Sequence, residues 1–282
     1  MEAEKNIIIA ETIEKIEHTL GLELDQITVD RAVFGLFFSG VKLSTGHGGL
    51  CFTPVKEMPE AVCCPSTAKA MPLSGRLVGR SVLKYIEDVH SKNPLKKTLG
   101  IATLNALSTL CWEKEKADDL NYEIIMGEDA FEKVDVSQYQ KTVVIGALVP
   151  MLKKLNAAEA DYKVLEMDSR TLKGKELEHY APATDAHLYI PDADLIVITG
   201  VTILNNTLYD LLKMAKQGAE IIVTGPTASM LPDVFFKYGV TLLGGIVVTK
   251  ADEILDIISE GGSGYHFFGK YAERTAVRAV CN

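Results

Sequence analysis

The chain has 282 residues, 47% hydrophobic and 24% charged, a length that suits two domains and a composition that supplies each with an apolar core. Its 29 Lys and Arg stand against 38 Asp and Glu, a formal charge of −9, and such a surface repels a phosphate backbone, so no nucleic acid partner is expected. No apolar run approaches the roughly 20 residues that span a bilayer, no export signal is apparent, and the five cysteines are an odd number for a disulfide framework. These features predict a cytoplasmic protein with reduced thiols and no membrane span.

Apolar residues at Ile9, Ile13, Ile16 and Leu20 predict a helix over 7–20 that stops at Gly21. From Gln26 the character turns to strand: Ile27 to Val29 and Val33 to Val41 are β-prone, 44–49 is a turn cluster, and Leu50 to Val55 resumes as strand, which reads as an antiparallel meander. His47 sits in that cluster (Ser44-Thr45-Gly46-His47-Gly48-Gly49). It reads either as a solvated hairpin tip or as a proton carrier or metal ligand, because imidazole titrates near neutrality. Cys63 and Cys64, followed by Pro65, read as ordinary loop thiols or as a soft-metal thiolate pair, with no CxxC repeat or finger-spaced His to favour the pair. Two helical patterns follow, over Leu77 to Ile86 and Leu99 to Leu110. The second contains Asn105, a polar residue among small apolar ones, whose amide must find either structural partners or a ligand. Strands first and helices second is an α+β order, assigned to a domain of residues 1–112.

Beyond the charged stretch 113–119, short apolar runs alternate with helical patterns: Thr142 to Leu148, Tyr162 to Met167, Leu195 to Thr199, Glu220 to Thr224 and Val240 to Val248. Runs apolar on both faces suit a buried parallel sheet, which makes 113–282 an α/β domain. Ligands of such sheets bind beyond the carboxyl ends of the strands, where free amides converge. The first loop there, at Gly146, lacks the three-glycine dinucleotide fingerprint. Asp168 closes the next strand about 20 positions later, where a dinucleotide enzyme keeps its ribose-binding acid, and a strand-end cap explains it equally simply. The third loop carries Thr199, Gly200, Thr202, Asn205 and Asn206, whose paired amides suit either helix capping or a ligand rich in oxygen and nitrogen. The fourth carries Gly225, Pro226, Thr227 and Ser229, a turn able to hold an anion.

The segments GIATLNAL (100–107), DLIVITGVTILNNTLYDLL (194–212) and VTGPTASML (223–231), with PDVFFKYGV (232–240), Gly244-Gly245 and Asp252 after them, resemble the heavy-metal chelatase family over nearly the whole chain. The resemblance implies a small domain with an enolase N-terminal-like fold followed by a Rossmann-like domain. It also implies that Asn105, Gly200, Thr202, Asn205, Asn206, Gly225, Pro226, Thr227 and Ser229 line a cleft between the two; no catalytic residue is carried over. The expected function is binding of, and action on, a small chelating or heteroaromatic molecule or its metal complex in heavy-metal handling, by a transferase, ligase or chelatase-like chemistry. Alternatives are a non-catalytic carrier or sensor that passes a metal complex to a transporter, and a nucleotide-dependent transferase or oxidoreductase. No cofactor is identified. A heavy-metal ion is expected to be held through the bound organic ligand, with His47 or a cysteine assisting, and a homodimer is the default assembly.

Overall fold

A computed structural model describes residues 6–57, 73–115 and 121–280. Cys63, Cys64 and Cys281 lie outside the described residues. In chain order the elements are α1 (Ile7–Leu20), β1 (Val29–Phe34), β2 (Phe38–Leu43), β3 (Gly48–Phe52), α2 (Val82–Asp88), α3 (Pro94–Lys114), β4 (Tyr122–Met126), β5 (Thr142–Ile145), α4 (Val149–Ala157), β6 (Tyr162–Glu166) and β7 (Tyr180–Pro182). There follow α5 (Ala186–Tyr189), β8 (Leu195–Thr199), α6 (Val201–Leu204), α7 (Leu208–Met214), β9 (Glu220–Thr224), α8 (Pro232–Lys237), β10 (Leu242–Val248), α9 (Ala251–Ser259), α10 (Gly264–Phe267) and β11 (Ala272–Ala279). The fold is α/β, and none of the helices among the described residues is long and apolar enough to cross a membrane.

The chain divides into two compact units, the first made of residues 1–120, 226–231 and 245–274. The later stretches lie beyond the single cut at 112 drawn from the sequence. Within this unit, α1 is capped by Asn6, whose side chain accepts from the Ile9 amide at 3.3 Å, and it buries Ile8, Ile9, Ile16 and Leu20. The expected meander is present as the antiparallel sheet β1-β2-β3. The single β-prone run 33–41 is interrupted there, because the Gly35 amide turns back to the Phe38 carbonyl at 3.0 Å.

Helix α3 starts with Asn93 accepting from the Leu95 and Lys96 amides, with Pro94 behind it, a favourable start because proline has no amide to leave unpaired. It is buried at Leu95 and continuously from Lys97 to Cys111. Two of its buried hydroxyls are satisfied locally, Thr103 by the Leu99 carbonyl and Ser108 by the Leu104 carbonyl, so these two cost little inside the core. The sheet approaches this helix very closely: a Cβ on Gly49 would stand 2.0 Å from the Ala102 carbonyl oxygen and 2.6 Å from the Ala106 nitrogen. That explains the run of small residues in α3. Helix α9 packs Ile254, Leu255 and Ile258 into a cluster with Leu50, Ile246 and Phe267, and Arg31 and Lys42 pair with Asp256 and Asp252, each at 2.5 Å.

The second unit holds residues 121–225, 232–244 and 275–282. The strand order of its eight-stranded sheet is β4-β11-β10-β9-β8-β5-β6-β7. The pairs β10-β9, β9-β8, β8-β5, β5-β6 and β6-β7 are parallel, and β11 with β4 is antiparallel. Strands β5, β8 and β9 are buried along almost their whole length, as expected for strands covered on both faces. Val164, Val144, Val197, Ile222 and Leu242 stand side by side across five strands. All five belong to one cluster with Met151, Leu152 and Leu155 of α4. The sequence pattern located five of these strands; β4, β7 and β11 escaped it, β11 because its Glu273, Arg274 and Arg278 break the apolar run.

Gly49→Ala is expected to destabilise the protein by about 1–3 kcal/mol or more, since the clash is with helix backbone that cannot rotate away. Urea denaturation reads this directly, and an unchanged midpoint would contradict the close approach.

Candidate functional site at the carboxyl edge of the parallel sheet

The chain runs from β5 outward to β6 and β7, then returns to the other side of β5 as β8 and continues to β9 and β10. The connections leaving β5 and β8 therefore run to opposite sides, and the carboxyl edge at such a switch point is where parallel sheets place ligands. Two positions beyond the apolar row stand Glu166, Gly146, Thr199, Thr224 and Gly244. Thr199 pairs with Thr224, and Thr224 with Gly244. Gly146 has φ +93°, and a Cβ on it would lie 2.8 Å from Thr199 Cγ2; one on Gly244 would lie 2.6 Å from Thr224 Oγ1. Each glycine thus makes room for the neighbouring threonine, and the carboxyl edge is uncharged at these positions from β5 to β10.

The loop after β8 is held by the backbone. Gly200 donates to the Thr224 carbonyl at 2.7 Å, and Thr202 Oγ1 donates to the Thr199 carbonyl at 2.7 Å, which buries Thr202 under the turn. Asn205 Oδ1 accepts from the Thr207 amide at 3.2 Å and from its hydroxyl at 2.6 Å. The carboxamide oxygen is thereby committed to ordering the turn, while Asn205, Asn206 and Thr207 are all exposed. Asn206 has φ +63°, the left-handed region that asparagine tolerates better than other residues with a Cβ. Gly225, with φ +118°, donates to the Gly244 carbonyl at 3.0 Å.

Glu166 and Asp168, at the end of β6, are both engaged. Glu166 Oε2 accepts from the Ala147 amide at 2.9 Å, and its Oε1 accepts from the Met167 and Asp168 amides at 2.8 and 3.3 Å. Asp168 accepts from the Arg170 amide and grips its guanidinium through both oxygens, each at 2.9 Å. Asp168 is thus a cap, and the residue that reaches the β5 loop is Glu166, which the sequence reading missed. A period-two count from Val164 was the signal that could have found it.

Asn105, Pro226, Thr227 and Ser229 lie together in the first unit. Asn105 is 2% exposed, and its Nδ2 donates to the carbonyls of Leu50, Pro226 and Thr227 at 2.7, 3.1 and 3.2 Å. The Phe52 amide donates to Thr227 Oγ1, the Ile246 amide to Ser229 Oγ, and the Leu231 amide to Ser108 Oγ. The Asn105 amide and the Thr227, Ser229 and Ser108 hydroxyls stitch 226–231 to β3, α3 and β10, while the buried Asn105 Oδ1 has no hydrogen-bond partner among the described residues.

His47 Nε2 lies 3.0 Å from Glu113 Oε2, and its Nδ1 lies 2.9 Å from Thr45 Oγ1. Among the described residues no group of three or more His, Cys, Asp or Glu is placed to hold a metal ion. Burial pushes the thiols of Cys51 and Cys111 up to about 12. Asp252, which belongs to the family-like pattern, is held below the usual carboxylate range chiefly by its hydrogen bond from Lys42. A small cleft of about 160 Å³ opens at the amino ends of β5 and β6, beside Lys141, Thr142, Tyr162, Lys163, Tyr189 and Asp192. It is smaller than the roughly 300 Å³ at which ligand pockets begin, and it lies at the edge where strand amides and loop glycines do not converge, so the carboxyl edge is the stronger candidate.

Two family profiles, both described as "Putative heavy-metal chelation", match residues 129–277 and 17–108. An uncharacterized protein of Methanocaldococcus jannaschii is 27% identical over 195 residues, which is 68% of this chain and 70% of that protein. A solved structure of a DUF364-family protein with unknown function from Pyrococcus horikoshii superposes with a TM-score of 0.74 at 20% identity, over 96% of this chain and 99% of that one. Another DUF364-family structure, from Desulfitobacterium hafniense DCB-2, gives 0.69 at 18% identity, over 95% and 99%. At these identities the two structures speak for the fold.

Asn105→Leu keeps the volume but removes the Asn105 donor from the buried Leu50 and Thr227 carbonyls, while Pro226 keeps its bond from Ser229 Oγ, so a stability loss of about 2 kcal/mol is expected in urea; a residue serving only a ligand would leave the midpoint in place. Cys51 and Cys111, protonated at neutral pH, are expected to resist iodoacetamide in the folded protein and to react after unfolding. Peptide-mapped alkylation separates them from the other three cysteines, and rapid labelling of either in the native state would refute the burial.

Proposed function

Because this chain belongs to the family described as "Putative heavy-metal chelation", we propose that the carboxyl edge of its parallel sheet binds a small uncharged organic chelator, or the complex of that chelator with a heavy-metal ion as cargo. The observation that carries this reading is the loop after β8. It carries the exposed Asn205 and Asn206 one short helix after β8, a strand flanking the reversal of strand order, and the ends of β5, β8, β9 and β10 carry glycine and threonine. Carboxamides donate and accept hydrogen bonds without charge, so they match the heteroatoms of a neutral N,O chelator and do not compete with it for the metal as carboxylates or thiolates would. The ion in this reading stays on its organic ligand. A nucleotide-dependent reading has less support, since the Asp168 carboxylate that would meet a ribose is closed on Arg170.

Asn205→Asp keeps the acceptor for Thr207, removes the amide donor and adds a negative charge, so the lost donor is read from the metal-free neutral chelators. Isothermal titration would compare a panel of neutral N,O chelators headed by picolinamide, their zinc complexes, and zinc alone. Wild type is expected to bind a chelator or its complex in preference to zinc. Asn205→Asp is expected to melt near wild type and to bind about tenfold more weakly, the loss of roughly 1.4 kcal/mol. Equal affinity in the variant, or tighter binding of zinc alone, would overturn the proposal.

A further inference from the structure

Glu166 occupies an unusual position for a strand-end acid. It ends β6, and both of its oxygens are taken by backbone amides: Ala147 from the loop after β5, and Met167 and Asp168 from its own loop. In a parallel sheet the amides leaving adjacent strands at this edge are the groups that receive a ligand's phosphate or carboxylate, because they point outward with no strand left to pair with. Here those amides already hold an anion, and it is covalently part of the chain. Tethering gives that carboxylate a high effective concentration, so a free anion in solution competes at a disadvantage even with identical hydrogen bonds. The like charge of Glu166 adds a direct repulsion.

We infer that the amides of Ala147, Met167 and Asp168 form an oxyanion site that Glu166 keeps filled. Glu166 is then a specificity-determining residue: it makes this edge of the sheet refuse small carboxylates and selects for uncharged ligands. The inference stands on the Glu166 geometry alone, and it holds or fails separately from the chelator reading, whose test uses neutral probes at Asn205.

Removing the side chain should turn the closed site into an open one. Glu166→Ala is expected to melt several degrees below wild type, having lost charge-assisted hydrogen bonds. Sodium acetate, matched in ionic strength by sodium chloride, is expected to raise that melting temperature saturably, as a ligand of the folded state does, while wild type shows no acetate-specific shift. An acetate response in Glu166→Ala no larger than that of wild type overturns the inference. Should Glu166→Ala fail to fold, Glu166→Thr keeps a strand-forming side chain that carries no charge and is too short to reach the Ala147 amide. Acetate titration would then be followed on the backbone amide resonances of Ala147, Met167 and Asp168: saturable movement confined to the variant supports the inference, and resonances that stay still overturn it.

Discussion

The registered row Val164, Val144, Val197, Ile222 and Leu242 is the constraint on which the second unit depends. Side chains alternate faces along a strand, so a slip of one residue would carry a strand's apolar set away from α4 and put its other face into the core. Burial of that row therefore sets the register. The register in turn decides which residues emerge together at the carboxyl edge. Thr199 stands beside Thr224, and Gly146 and Gly244 lie under their neighbours' side chains, because the apolar positions two residues earlier are locked in place.

What the edge can do chemically follows from that alternation of glycine and threonine. A glycine of positive φ at 146 lets the chain turn off the sheet while Thr199 leans across it, and the resulting floor has hydroxyls and backbone but no charge. The single carboxylate of the row, Glu166, is bound by amides from two loops. Asn205 and Asn206 face solvent above a turn that one of their own oxygens maintains. The same side chain thus orders the turn through its oxygen and keeps an exposed amide donor.

The first unit solves a different problem. Its small residues bring β3 against the backbone of α3, and that approach leaves no room for water to satisfy stray carbonyls. Asn105 supplies the missing donor, with two amide protons shared among three acceptors from β3 and the 226–231 segment. An apolar residue there would fill the same space and leave the Leu50 and Thr227 carbonyls without its donor, at a desolvation cost. This is why a carboxamide persists among the small, apolar and hydroxyl side chains of this buried helix.

Much of the architecture was legible from periodicity alone. The helix over 7–20, the meander and the strands 195–199 and 220–224 all follow from local spacing, which side chains express whatever their distant partners. The loops after β5, β8 and β9 were legible as candidates for the same reason, since glycine, threonine and asparagine at a strand end announce a turn. Other features depend on neighbours far away in sequence. Strand β11 owes its existence to pairing with β4 rather than to its own apolar content, and the partners of Glu166 and Asn105 are set by strand register and helix approach. The sequence by itself determined the elements and the residue types at their ends. Only the tertiary structure decided which of those polar groups are already satisfied within the chain, because a hydrogen-bond partner is chosen by proximity in space and leaves no period in the sequence.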